Sequence, residues 1–201
     1  MGRIVLAADF SGPEHPLLDH AALLSRRLGA EAVLVHALQG DATSCDRAEA
    51  EGQRWVDLGC ELGGTFSQTL ILRFEEPARL VAVSARELDA CCVVAGAGAG
   101  LGPVGRAILR RLLDRPLLLS RGATVLSGWT AGSRRAAAQV VAPLLTGLPE
   151  VEGPGDDVLS VEPWRAAALA RVARVERRLR ASPGPLLVCP TAPIIETLPR
   201  G

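Results

Sequence analysis

No lysine occurs in this 201-residue chain; all 22 basic residues are arginine. That absence excludes a Walker A phosphate loop, a Schiff-base enzyme and a lysine general base, each of which needs the ε-amine. Aromatic residues are scarce at 3%, while apolar residues reach 48%, so the core has to be assembled from Ala, Val and Leu. Long hydrophobic runs are missing. Stretches such as Ala90–Ala95 and Leu117–Leu119 fall far short of the roughly 20 residues a membrane helix needs, and no membrane partner is expected. Charge of one sign is missing too: 22 acidic residues balance the 22 basic ones. The chain therefore lacks the positive field of a nonspecific nucleic-acid binder. Met1 to Leu6 lead directly into a strand-like pattern with no signal-peptide apolar segment before it, so a cytoplasmic location is expected.

The catalytic and metal motifs are also thin. The five cysteines (Cys45, Cys60, Cys91, Cys92 and Cys189) are odd in number and form no C-x-x-C pair, which reads as buried reduced thiols. His15 and His20 lie five positions apart, a poor spacing for joint metal ligation, and no H-E-x-x-H occurs. They are expected to be solvated on the first helix, with His36 structural inside a strand. No metal, no Ser-His-Asp set and no G-x-S-x-G elbow is identified. The chain is not expected to be an enzyme.

What is present is alternation. Arg3–Ala8 is a short apolar run closed by Asp9-Phe10-Ser11-Gly12-Pro13. Leu17, Ala21, Leu24 and Leu28 recur at helical spacing up to Gly29. Strands follow over Ala32–Leu38, Ser67–Arg73, Ala90–Ala95 and Pro116–Ser120. Helices separate them, over Asp46–Leu62, from Pro77, and through Ile108, Leu109, Leu112 and Leu113. Strands that are apolar on both faces and alternate with helices predict a doubly wound, five-stranded parallel sheet in an α/β fold.

From Ala123 the pattern starts again. Val125 to Ser133 echoes Ile4 to Ser11, with Thr130 where the first copy has Asp9, and a helix is expected through Ala137 to Leu145. Asp157–Val161 predicts a strand, and Pro163 the start of a long helix with Trp164, Ala168, Val172, Val175 and Leu179 on its apolar stripe. Arg171, Arg174, Arg177 and Arg178 are expected on a solvated face. Pro185–Cys189 is a last strand before an irregular tail. The chain thus divides into a complete unit over 1–122 and a shortened repeat over 123–201.

The order of elements resembles the universal stress protein family, whose members share a Rossmann-like, adenine-nucleotide-binding α/β fold. The residues that carry the resemblance are Asp9 and Ser11 after the first strand, Val35-His36-Ala37, Phe74-Glu75-Glu76-Pro77-Ala78, the Gly-rich loop after Ala95, and Arg115-Pro116-Leu117-Leu118-Leu119. It implies a stress-response regulator without enzymatic turnover. Its ligand would be ATP or another adenine nucleotide, and it would act alone, as a homodimer or with a protein partner. By position, Asp9 and Ala37 would border the adenosine, and Gly96, Gly98, Gly105 and Arg106 would cradle the phosphates. The departures bear on that ligand: only six residues separate Gly98 from Gly105, and Arg106 stands where the family has a hydroxyl residue. A weak or vestigial nucleotide site and an empty structural or interaction module both remain open. In the second of these, the short repeat packs on the first unit and completes within one chain what relatives achieve by dimerisation. Gly100-Leu101-Gly102-Pro103-Val104-Gly105 also fits G-x-G-x-x-G, leaving a small dinucleotide enzyme as a third reading, although no ribose-binding acid follows the next strand.

Overall fold

In the computed structural model the described residues are 2–10, 16–40, 42–98, 100–112, 114–123, 125–131, 145–164 and 168–190. Eight strands form one sheet: β1 Gly2–Ala7, β2 Ala30–Ala37, β3 Ile71–Arg73, β4 Ala90–Gly96, β5 Leu117–Ser120, β6 Gly128–Ala131, β7 Val158–Trp164 and β8 Leu186–Pro190. Their order is β3-β2-β1-β4-β5-β8-β7-β6. The first five strands are parallel, as the two-faced apolar runs predict.

Helices α1 Leu17–Leu28 and α2 Ala42–Glu61 cover one face of the sheet, while α3 Pro77–Glu87, α4 Pro103–Arg111 and α5 Ala168–Ala181 cover the other. The alternation of β1 shows how the sequence feeds both: Ile4 and Leu6 join the α1/α2 core, and Val5 joins the α3/α4 core. The largest fully buried side chains are Ile4 and leucines, so the shortage of aromatics is met with branched aliphatics. Gly29 closes α1 in a left-handed conformation (φ 57°) that costs glycine nothing. Glu76 opens α3, its carboxylate accepting from the N–H groups of Ala78 and Arg79 at 3.0 Å each.

The second unit does not stand apart. β8 pairs antiparallel with β5 (Leu117 opposite Val188, Leu119 opposite Leu186), and β7 and β6 continue the sheet in parallel. The edge that β5 would present to another copy is therefore occupied within the chain.

Several expectations need correction. The third strand is shorter than Ser67–Arg73: only Ile71–Arg73 pairs along β2, preceded by an isolated bridge from Phe66 to Ala32. β6 spans Gly128–Ala131, so Thr130 lies inside the strand, opposite Ser160, and not in a turn beyond it. Pro163 and Trp164 belong to β7, and the helix begins at Ala168. There Pro163 lies opposite Cys189 of β8. The face of α5 is not simply solvated. Arg174 and Arg178 both pair with Glu162, a carboxylate 2% exposed on β7. His20 is fully buried: Ser120 Oγ lies 2.8 Å from Nδ1 and Nε2 donates to the Ala123 carbonyl at 3.1 Å, and burial lowers its pKa below the ordinary 6.5. Of the thiols, Cys92 and Cys189 are buried, Cys45 and Cys91 half-buried and Cys60 exposed; all are free. Ser11, His15, the expected helix from Ala137 up to Leu144 and the tail beyond Pro190 lie outside the described residues.

Candidate functional site

The strand order reverses at β1: β2 lies on one side of it and β4, reached by a crossover, on the other. In open α/β sheets the loops leaving the carboxyl ends of such strands diverge and open a crevice. Here that crevice is a cavity of about 780 Å³. It is bordered by Ala7–Asp9 at the end of β1, by Val35–Gln39 at the end of β2, and by Ala95–Gly98 and Gly102–Gly105 around the Gly-rich loop.

The β1 end is pinned to β2. Ala8 N–H donates to the Val35 carbonyl at 3.1 Å, and the Ala8 carbonyl accepts from His36 Nδ1 at 2.9 Å. A carbonyl can only accept, so Nδ1 carries the proton, and the ring is held in one orientation at the cavity wall. Phe10, just past Asp9, has φ 55°. Its ring lies 4.3 Å from His36 and meets Trp55 edge-on at 5.2 Å. A bulky residue in that conformation is strained by the order of 1 kcal/mol, and here two aromatic contacts hold it.

The opposite wall is the loop. Ala97 N–H donates to the Ser120 carbonyl at 2.9 Å, and Leu101 is buried beneath, anchoring the turn. A Cβ on Gly105 would come within 3.2 Å of Leu101 Cδ2, so this glycine packs against its own anchor. Gly96, Gly98, Gly100 and Gly102 differ: none has a positive φ, and a Cβ on any of them would meet no atom of the described residues within 4 Å. Neither backbone conformation nor packing among the described residues calls for glycine at these four positions. Gly102 caps α4 without a side-chain bond, with Pro103 in the first turn, and Val104 and Gly105 border the cavity. That is a helix N-terminus turned toward an open space, the electrostatic setting that favours an anion.

Of the residues expected at the site, Asp9, Ala37, Gly96, Gly98 and Gly105 border this one cavity. Arg106 does not; its Nε donates to Glu176 Oε1 on α5 at 2.6 Å. His36, Leu38, Gln39, Ser44, Pro77 and Val81 also border the cavity, and sequence reasoning did not place them there. The strand-end position of His36 was the available signal. Among the described residues, no group of three or more His, Cys, Asp or Glu side chains could hold a metal, and no helix is long and apolar enough to cross a membrane. Burial pushes the Cys91 thiol up to about 11 and those of Cys92 and Cys189 up as well, so these three are poor nucleophiles.

No family model matches the sequence, and no curated protein matches it. Solved structures do. A universal stress protein from Archaeoglobus fulgidus superposes with a TM-score of 0.51 at 26% identity, over 58% of this chain and 91% of that one. The universal stress protein from Archaeoglobus fulgidus in complex with dAMP gives 0.50 at 24% identity, over 58% and 94%. A functionally unknown protein from Pseudomonas aeruginosa gives 0.64 at 12% identity, over 94% and 92%, so the shared architecture takes in the second unit too. The β3-β2-β1-β4-β5 order and these likenesses agree: the chain has an α/β fold similar to that of universal stress proteins.

Proposed function

We propose that this chain is a cytoplasmic regulatory protein of the universal-stress-protein type, which binds an adenine nucleotide at the carboxyl edge of its sheet without turning it over. The observation that carries the reading is the pairing of a cavity at the strand-order reversal with four glycines that no described neighbour requires. Glycine at such positions lets a ligand approach the backbone closely and reach its N–H groups. The apolar wall of Val35, Leu38 and Val81 suits a base, Asp9 offers acceptors for ribose hydroxyls, and the α4 N-terminus suits a phosphate. The universal stress protein complexed with dAMP supports the same ligand class.

Isothermal titration with adenosine, AMP, ADP and ATP tests it. At least one compound should give saturable heat at one site per chain, with phosphate release from ATP staying at background. Silence across all four would remove the ligand. The structural or interaction module would then stand in its place, a reading favoured by the β5–β8 pairing that welds the second unit to the first.

A further inference from the structure

Among the described residues bordering the cavity there is no arginine, and the sequence has no lysine to offer. Among the described residues the ionisable side chains there are Asp9 and His36, with Nδ1 of the latter already given to the Ala8 carbonyl. The nearest basic residue along the loop, Arg106, sits in the first turns of α4 directly after Gly105, yet its guanidinium faces away to Glu176. The two are 70 positions apart in sequence. Glu176 is the more enclosed partner, with 19% of its side chain exposed against 48% for Arg106. A charge-assisted bond of 2.6 Å to a largely enclosed carboxylate is a strong contact.

We propose that Glu176 sets the phosphate selectivity of the cavity: by holding Arg106 on α5, it leaves a site that takes an adenine nucleoside or nucleoside monophosphate in preference to a di- or triphosphate. The proposal rests on the nucleotide reading above. One phosphoryl group finds backbone N–H groups and the helix dipole at the α4 N-terminus. Each further phosphoryl group adds negative charge, and among the described residues bordering the cavity no arginine is turned toward it. To recruit Arg106, a triphosphate must strip Glu176 of its partner and leave a largely enclosed carboxylate beside α4. The second unit thereby acts on the first unit's ligand through a single residue pair.

The test is a competition series on the full chain and on Glu176→Gln, read by isothermal titration with adenosine, AMP, ADP and ATP, with thermal melts to verify folding. Wild type should bind AMP about tenfold more tightly than ATP. In Glu176→Gln the freed guanidinium should raise ATP affinity about fivefold, with adenosine affinity changed less than about twofold. ATP binding wild type as tightly as AMP would overturn the proposal and leave the nucleotide reading intact. An AMP-to-ATP ratio unmoved in Glu176→Gln would overturn the role of Glu176. If no adenine compound binds wild type, the nucleotide reading itself falls, and this proposal with it.

Discussion

Replacing Gly184 by valine should lower the stability of the whole chain by about 3 kcal/mol or more, the range of severe backbone and packing defects. A Cβ at this position would lie 2.3 Å from the Gly155 carbonyl oxygen, 2.6 Å from that of Val158 and 2.9 Å from that of Asp156. All three are backbone atoms, and a rotamer change in a flexible side chain cannot relieve the clash. Gly122 faces the same seam at φ 73°, where a Cβ would come within 2.7 Å of the Asp156 carbonyl oxygen. Three stretches of chain therefore meet there: the exit from β5, the approach to β7 and the approach to β8. Hydrogen bonds lace them together, from Ala123 N–H to the Asp156 carbonyl and from Ser160 N–H to the Pro185 carbonyl. Denaturant unfolding of the variant should show one transition at a lower midpoint, because the second unit shares a sheet with the first. A change under about 0.5 kcal/mol would mean the seam is not packed as described.

Gly98→Trp should have the opposite profile, with folding spared and binding lost. The Cβ at Gly98 meets no atom of the described residues within 4 Å and φ there is not positive, leaving room for a side chain. The same residue borders the cavity, and an indole there would occupy space that a ligand needs. AMP affinity should drop by at least about tenfold, with the melting temperature moving by no more than about 2 °C, the shift that a few tenths of a kcal/mol produces. Unchanged affinity would separate the loop from the ligand. Gly105 would give a less interpretable result: its substitution presses on the buried Leu101 and so mixes packing with binding.

Strands β1, β2, β4 and β5 were legible because each is a short apolar run bounded by turn residues, and that signal is local; β3, the three residues Ile71–Arg73, was read too long. The cavity was legible for the same reason, since the carboxyl ends of β1, β2 and β4 each close on a readable stop: Asp9, Gln39 and Gly96. What the sequence hides is satisfied at a distance. His20 reads as solvated beside Asp19, yet its two ring nitrogens meet Ser120 and the Ala123 carbonyl about a hundred positions away. Arg106 reads as a phosphate ligand until Glu176 is brought beside it. Pro163 carries a familiar helix-opening signature, yet it lies in β7 opposite Cys189 of β8. In each case the deciding partner comes from an element far along the chain, and periodicity carries no information about it.

The most direct measurement is the backbone amide spectrum of isotopically labelled wild-type protein during titration with AMP. Saturable shifts should concentrate at Asp9, at Val35–Gln39 and along the loop from Gly96 to Gly105, with the strands of the second unit unmoved. Shifts centred on Val158–Pro190, or a spectrum that AMP leaves untouched, would contradict a ligand site at the strand-order reversal.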